Sequence, residues 1–184
     1  MSFLSHLNSA QSGLLSPDTV KHLNPVMDWM QTTWLSHLAL DYSQTWPTLE
    51  ITHYIGLSLL FGSILVMDLR LMGVQHPVIS SLSIHRMLPM AFIGFGLNLL
   101  TGIIFCFGDP HRYAINISFQ LKMICVLLAG INALIYWRKI GPMLAAVPPN
   151  ADPPLPAKAV GFMSILLWTL VLIFGRLIPY LGTG

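Results

Sequence analysis

Four apolar stretches, each long enough to cross a bilayer, set the terms for this chain: residues 48–72, 88–107, 116–137 and 159–181. A helix needs roughly 20 mostly apolar residues to span the ~30 Å hydrocarbon core. Within that core only helices and closed barrels satisfy their own backbone groups. The chain therefore reads as all-α, an integral membrane four-helix bundle. Composition points the same way, with 54% hydrophobic and 9% charged residues, against about 25% charged in soluble domains. A formal charge of +2 is too small and too dispersed to point to nucleic acid. Cys106 and Cys125 lie in apolar segments, form no CxxC and read as small buried hydrophobes. The N-terminus lacks a basic region followed by an apolar core, so the first span is expected to do the targeting.

Ahead of the first span, Val26, Met27, Met30, Trp34, Leu38 and Tyr42 recur at three- and four-residue steps. That pattern predicts an interfacial amphipathic helix over 25–46, with Trp29, Trp34 and Trp46 at the headgroup level. Residues 1–24 read as a loosely docked extension and 47–184 as the four-span domain. Pro89 is expected in the first turn of the second span. Residues 142–156, with six prolines, read as a loop.

Basic residues give the orientation. The loops after spans one and three carry Arg70, Arg86, Arg138, Lys139 and Lys158. The other side carries Lys21 and Arg112 beside Asp18, Asp28, Asp41 and Asp109. The positive-inside rule then places both termini outside, in the periplasm of a bacterium whose inner membrane holds the protein.

Against this background the ionisable groups inside the spans stand out. A Lys at a helix centre costs roughly 2.5–3.5 kcal/mol on insertion scales, and such groups usually face a bundle interior. Lys122 lies in span three, His53 in span one and Arg176 near the end of span four. With the deduced directions, Glu50, His53, His111, Arg112, Lys122 and Arg176 share one outer-leaflet region, and His37 faces the same side. The inner side holds Asp68, Arg70, His76, His85 and Arg86.

A haem b suits the outer cluster. It needs one or two axial ligands, most often imidazole, in an apolar slot, and its propionates want cations. His53 offers the imidazole. Gly56, at i+3, lets a flat ring approach, and Gly94, Gly96 and Gly102 serve likewise on span two. Lys122, Arg112 and Arg176 suit the propionates. His111, then His37, a Met such as Met123, or an open position would complete the coordination. His76 and His85 leave room for a second haem on the inner side. On this reading the protein passes electrons near the periplasmic face, to a membrane or periplasmic redox protein or a quinol. It acts as a subunit or conduit rather than a stand-alone enzyme. Two alternatives stay open. His37, His53 and His111 are imidazoles that suit copper or another transition metal. The buried charges are otherwise interhelical ties of a structural subunit, with a Lys122–Glu50 salt bridge, a snorkelling Arg176 and packing glycines.

HYIGLSLLFGSILVMDLRLMG (53–73), HRMLPMAFIGFGLNLLTGIIF (85–105), NISFQLKM (116–123) and WTLVLIFGRLIPY (168–180) resemble a family of four-span bacterial membrane proteins, a domain of unknown function, over about residues 25–183. The resemblance singles out His53, Asp68, Arg70, Lys122, Arg176 and Tyr180 and implies no established activity. More distantly, the chain is similar to HemJ-type protoporphyrinogen oxidase and to copper-resistance D proteins. That similarity implies haem b and rests on His53 and Lys122.

Overall fold

A backbone in hydrocarbon has no water to bond, so each apolar run closes its hydrogen bonds within a helix. A computed structural model describes residues 14–15, 17–74, 81–146, 148 and 151–181, and no strand occurs among them. Among the described residues four helices are long and apolar enough to cross a membrane, and the protein is a multi-pass membrane protein. The first two helices are short: α1 (Pro17–Gln31) and α2 (Trp34–Leu40). The first span is α3 (Thr45–Leu71). The second lies within α4 (Ser81–Gly108), over Met87–Gly108. After the short α5 (Pro110–Ile115), the third span is α6 (Ile117–Ile135), which continues through a π-helical turn at Tyr136–Ile140 into α7 (Gly141–Ala145). The fourth span is α8 (Leu155–Leu177).

Several boundaries differ from expectation, each for a local reason. The segment expected as one interfacial helix forms two helices, because Thr32 and Thr33 turn their hydroxyls back onto the carbonyls of Trp29 and Met30. Hydroxyls that bond nearby carbonyls compete with helix continuation. The face predicted for it is not single either: Met27 is buried, whereas Val26, Trp34 and Tyr42 are exposed. Helix begins at Pro17, inside the segment read as an extension, and the Leu14 N–H donates to Gln120 Oε1 at 2.6 Å. Pro89 sits inside α4, not in its first turn. Prolines within membrane helices are tolerated where neighbours re-satisfy the freed carbonyl. Pro142 opens α7, and Pro156 falls in the first turn of α8, so helix takes both ends of the proline-rich stretch.

The chain divides into two compact units. One comprises Met1–His53, Leu99–Ile124 and Val171–Gly184; the other comprises Tyr54–Asn98 and Cys125–Leu170.

The second unit is held by close backbone approach. A Cβ added at Gly94 would lie 2.5 Å from the Leu60 nitrogen and 2.6 Å from the Gly56 carbonyl oxygen. A Cβ at Gly56 would lie 2.7 Å from Asn98 Nδ2. Small residues permit this approach of α3 and α4, as is usual between membrane helices. Asn132 Nδ2 donates to the Val160 carbonyl at 3.1 Å, tying α6 to α8. Leu71, Ile140 and Ala157 form a buried core, flanked by Tyr136, Leu144 and Val160. Gly73, at φ +83°, ends α3 in the left-handed region that favours glycine.

In the first unit, aromatic and amide contacts do the joining. Trp29 meets Phe107 edge-on at 6.4 Å between ring centroids, and Trp46 meets Phe105 at 5.0 Å. Ala39 and Trp46 both press on Gly108. Asn116, between α5 and α6, is fully buried. Its Nδ2 donates to the carbonyls of Ile178 and Leu181 just beyond α8, and its Oδ1 accepts from the Phe119 N–H at 3.1 Å. One side chain thus caps α6 and satisfies carbonyls left open where α8 ends.

Candidate functional site

The in-span polar residues of the first unit gather around His53. Its Nδ1 lies 2.7 Å from Thr101 Oγ1, and Thr101 is 4% exposed. In the tautomer with the proton on Nδ1, His53 donates to Thr101 and Nε2 carries the available lone pair. The Phe105 ring meets the imidazole edge-on at 5.7 Å and itself packs on Trp46. His53 is thus oriented by one hydrogen bond and one aromatic wall, both supplied by α4.

Lys122, on the second turn of α6, approaches the same place. Its ammonium lies 3.6 Å from where a Cβ on Gly175 would stand, so the aliphatic stem and head run across the glycine of α8. Lys122 is within electrostatic reach of both His53 and Cys106. No ion pair joins it to Glu50 among the described residues. Glu50 is exposed and accepts from Trp46 Nε1 at 3.1 Å, which removes the expected Lys122–Glu50 bridge.

Two residues of α5 border this group. Tyr113 stacks edge-on with Phe119 at 5.3 Å. Burial pushes its phenol up to about 12, with Cys106, Asp109 and Glu50 adding to the effect and Arg112 opposing it. Arg112 donates its backbone N–H to Asp109 Oδ1, and its Nε is buried with no hydrogen-bond partner among the described residues.

The other expected members lie elsewhere or are engaged. His111 Nε2 is 3.0 Å from Asp28 Oδ1, a pair that fastens α5 to α1. His37 pairs with Asp41 one turn along at 3.4 Å. Arg176 is exposed, donates to the Tyr180 hydroxyl at 3.2 Å and stacks over that ring at 5.5 Å. Gly56 belongs to the α3–α4 contact of the second unit, where Asn98, Leu97 and Gly94 fill the space a ring would need. Gly94 is filled in the same way, whereas a Cβ on Gly96 or Gly102 would meet nothing within 4 Å. No group of three or more His, Cys, Asp or Glu converges among the described residues. His76 and the side chains of His85 and Arg86 lie outside the described residues.

Thr101, Cys106, Tyr113 and Gly175 are the residues that sequence reasoning missed. A helical wheel of span two carried a partial signal. Thr101 and Phe105 are four apart and so share a face. Nothing in span one, however, announces which residue of span two His53 meets.

With this geometry in view, comparison with known proteins is informative in one respect. The family model of DUF6644, a family of unknown function, matches residues 26–181, and the chain belongs to that family. No curated protein and no solved structure matches the chain, so the likeness to HemJ-type oxidases and copper-resistance D proteins gains no support.

Proposed function

We propose that this DUF6644 protein binds haem b in its first unit and passes electrons near the outer face of a bacterial inner membrane. One observation carries the reading: His53, inside a span, has its Nδ1 engaged by Thr101. Histidines that ligate metals almost always hand their second ring nitrogen to a hydrogen-bond partner, which fixes the tautomer and the ring plane. The donors present suit the group with one protein ligand, and the ring would lie away from the closed α3–α4 contact at Gly56 and Gly94. His53 Nε2 would hold the iron. Lys122 and the unpartnered Arg112 Nε are cationic donors of the kind propionates take. His111 and His37 are held by carboxylates and are not needed.

When bound, the haem supplies one-electron redox chemistry. The chain's own residues then have three tasks. His53 and Thr101 fix the ligand, Phe105 and Trp46 wall it from water, and Lys122 sets a positive charge beside it. Positive charge near a haem favours its reduced state. The basic residues in the loops after the first and third spans support an orientation with both termini in the periplasm. A quinol in the outer leaflet or a periplasmic redox protein is then the natural partner, and the protein serves as a subunit or conduit.

The test is a reduced-minus-oxidised visible spectrum of detergent-purified protein expressed with haem available, followed by pyridine extraction. A b-type spectrum that disappears in a folded His53→Ala variant is the expected result. A blank spectrum from folded wild-type protein would end this reading.

A further inference from the structure

The second unit carries its own buried ionisable group, away from any role given to His53. Asp68 is 8% exposed, on the last turns of α3. Its Oδ2 is buried and accepts no hydrogen bond among the described residues. The carboxyl is hydrogen-bonded by Ser164 of α8. Tyr136, the first residue of the π-helical turn, lies within electrostatic reach of it. Around it the packing is tight: a Cβ on Gly161 would lie 3.1 Å from the Asp68 carbonyl oxygen and 3.3 Å from Leu71 Cβ. One turn further on lies the core of Leu71, Ile140 and Ala157.

This arrangement is expensive unless something completes it. A buried oxygen acceptor without a partner loses its hydration and regains nothing. Among the described residues, no ion pair joins Asp68 to a neighbouring cation. Lys158 pairs with Asp152 at 2.6 Å. Arg138 and Lys139 are exposed. Arg70 is two residues from Asp68 on the same helix, and residues at i and i+2 do not face each other. Among the described residues, Ser164 from α8 hydrogen-bonds Asp68 and Tyr136 from the third span lies within electrostatic reach of it. Both are hydroxyls, which carry acceptor lone pairs as well as a donor. The π-turn adds its own signal, because an extra residue in one turn shifts the register and such turns recur at functional sites.

We propose that Asp68, Ser164 and Tyr136 form a binding site for a single monovalent cation, a proton or a sodium ion, at the end of the second unit that bears the basic loops. Oxygen donors and one carboxylate suit a small hard cation, and a proton on the bare Oδ2 meets the same need. The site does not depend on the haem reading.

The experiment uses the full chain in detergent. Thermal unfolding is followed with sodium chloride replacing choline chloride at fixed pH, and separately across a pH series in choline chloride. The infrared C=O band of a protonated carboxyl is recorded alongside the pH series. If the ion is sodium, wild-type protein is stabilised by sodium, and Asp68→Asn abolishes the effect. If it is a proton, lowering the pH raises stability together with a carboxyl band that Asp68→Asn removes. Ser164→Ala keeps the test decisive should Asp68→Asn fail to fold. It is expected to weaken a sodium response about tenfold, through the loss of one oxygen donor, and to strengthen a proton response, because the hydrogen bond it removes favours the charged carboxylate. Identical sodium and pH responses in wild type and in either folded variant would overturn the proposal.

Discussion

The two units handle the cost of the membrane interior in opposite ways. In the second, glycines let backbones touch, so α3 and α4 meet at Gly56 and Gly94 with no room for a methyl group. In the first, polar side chains occupy the helix interfaces: His53 on Thr101, Lys122 across Gly175, Asn116 under the end of α8. At the α3–α4 contact, close backbone packing gives rigidity and leaves no side chain to react, and the buried carboxyl of that unit, Asp68, lies instead where α3 meets α8. A buried imidazole beside an ammonium costs stability and leaves groups able to hold a ligand. The comparison teaches where to look for function in such a chain: at the side chains, where packing alone would have favoured glycine and leucine.

The largest expected effect breaks the tight unit. Gly94→Ala drives a methyl onto the Leu60 backbone, which cannot swing away as a side chain tip could. Loss of about 1–3 kcal/mol is expected from overpacking of this kind, read as a fall in the unfolding midpoint in detergent. Gly102→Ala is the matched control in the other unit. A Cβ there meets nothing within 4 Å, so it is expected to be neutral or to gain up to about 1 kcal/mol from better helix propensity. Equal losses at both positions would erase the contrast.

Asn116→Ala comes next and probes the polar unit. It strips donors from the buried carbonyl of Ile178 and the half-buried one of Leu181, and removes the α6 cap. A loss of about 1–3 kcal/mol is expected for a buried group left unpaired, in the same unfolding measurement. Thr101→Val separates structure from chemistry. It keeps the side chain's shape and removes the oxygen that His53 engages. If haem binds as proposed, its affinity falls about 10–100-fold, as for partners that orient metal ligands, in a haem titration followed at the Soret band.

These contrasts mark what could be read in the sequence. The spans were legible because twenty apolar residues in a row have one reading in a bilayer. His53 and Lys122 were legible as a pair because spans one and three run in the same direction, which puts the starts of both helices on one side. Thr101 was not legible, since a threonine in a membrane helix usually bonds its own backbone and announces no distant partner. Gly56 was visible as a small residue one turn from His53, but a glycine leaves space for a helix as readily as for a ligand, and α4 took it. His111 sat in a polar loop whose fate depended on Asp28, 83 residues away. The break at Thr32 and Thr33 followed from hydroxyls whose competing bonds periodicity does not weigh.

Tyr113 sharpens the comparison through pH. Its phenol is raised to about 12, chiefly by burial. A neutral phenol that ionises later in the folded state than in the unfolded chain, where its value is about 10, stabilises the fold fully below that lower value. That contribution is lost as pH rises through the folded value. Stability is therefore expected to decline between about pH 10 and about pH 12, and Tyr113→Phe should flatten that part of the curve. An unchanged slope would show that the first unit is wetter at α5 than its geometry indicates.

The smallest effect belongs to the rim. Asp28 and His111 join α1 to α5 at 3.0 Å, but the two side chains are 69% and 42% exposed. Exposed ion pairs are screened and typically contribute about 0.2–1 kcal/mol. Asp28→Asn should therefore shift the unfolding midpoint very little, and a double-mutant cycle with His111→Gln should return a coupling within that range. The same variants also test whether His111 matters to a haem. Freeing it from Asp28 leaves the His53 spectrum unchanged if the iron has one protein ligand, whereas a spectral change would bring His111 into the coordination and shift the site outward, from the span to the loop.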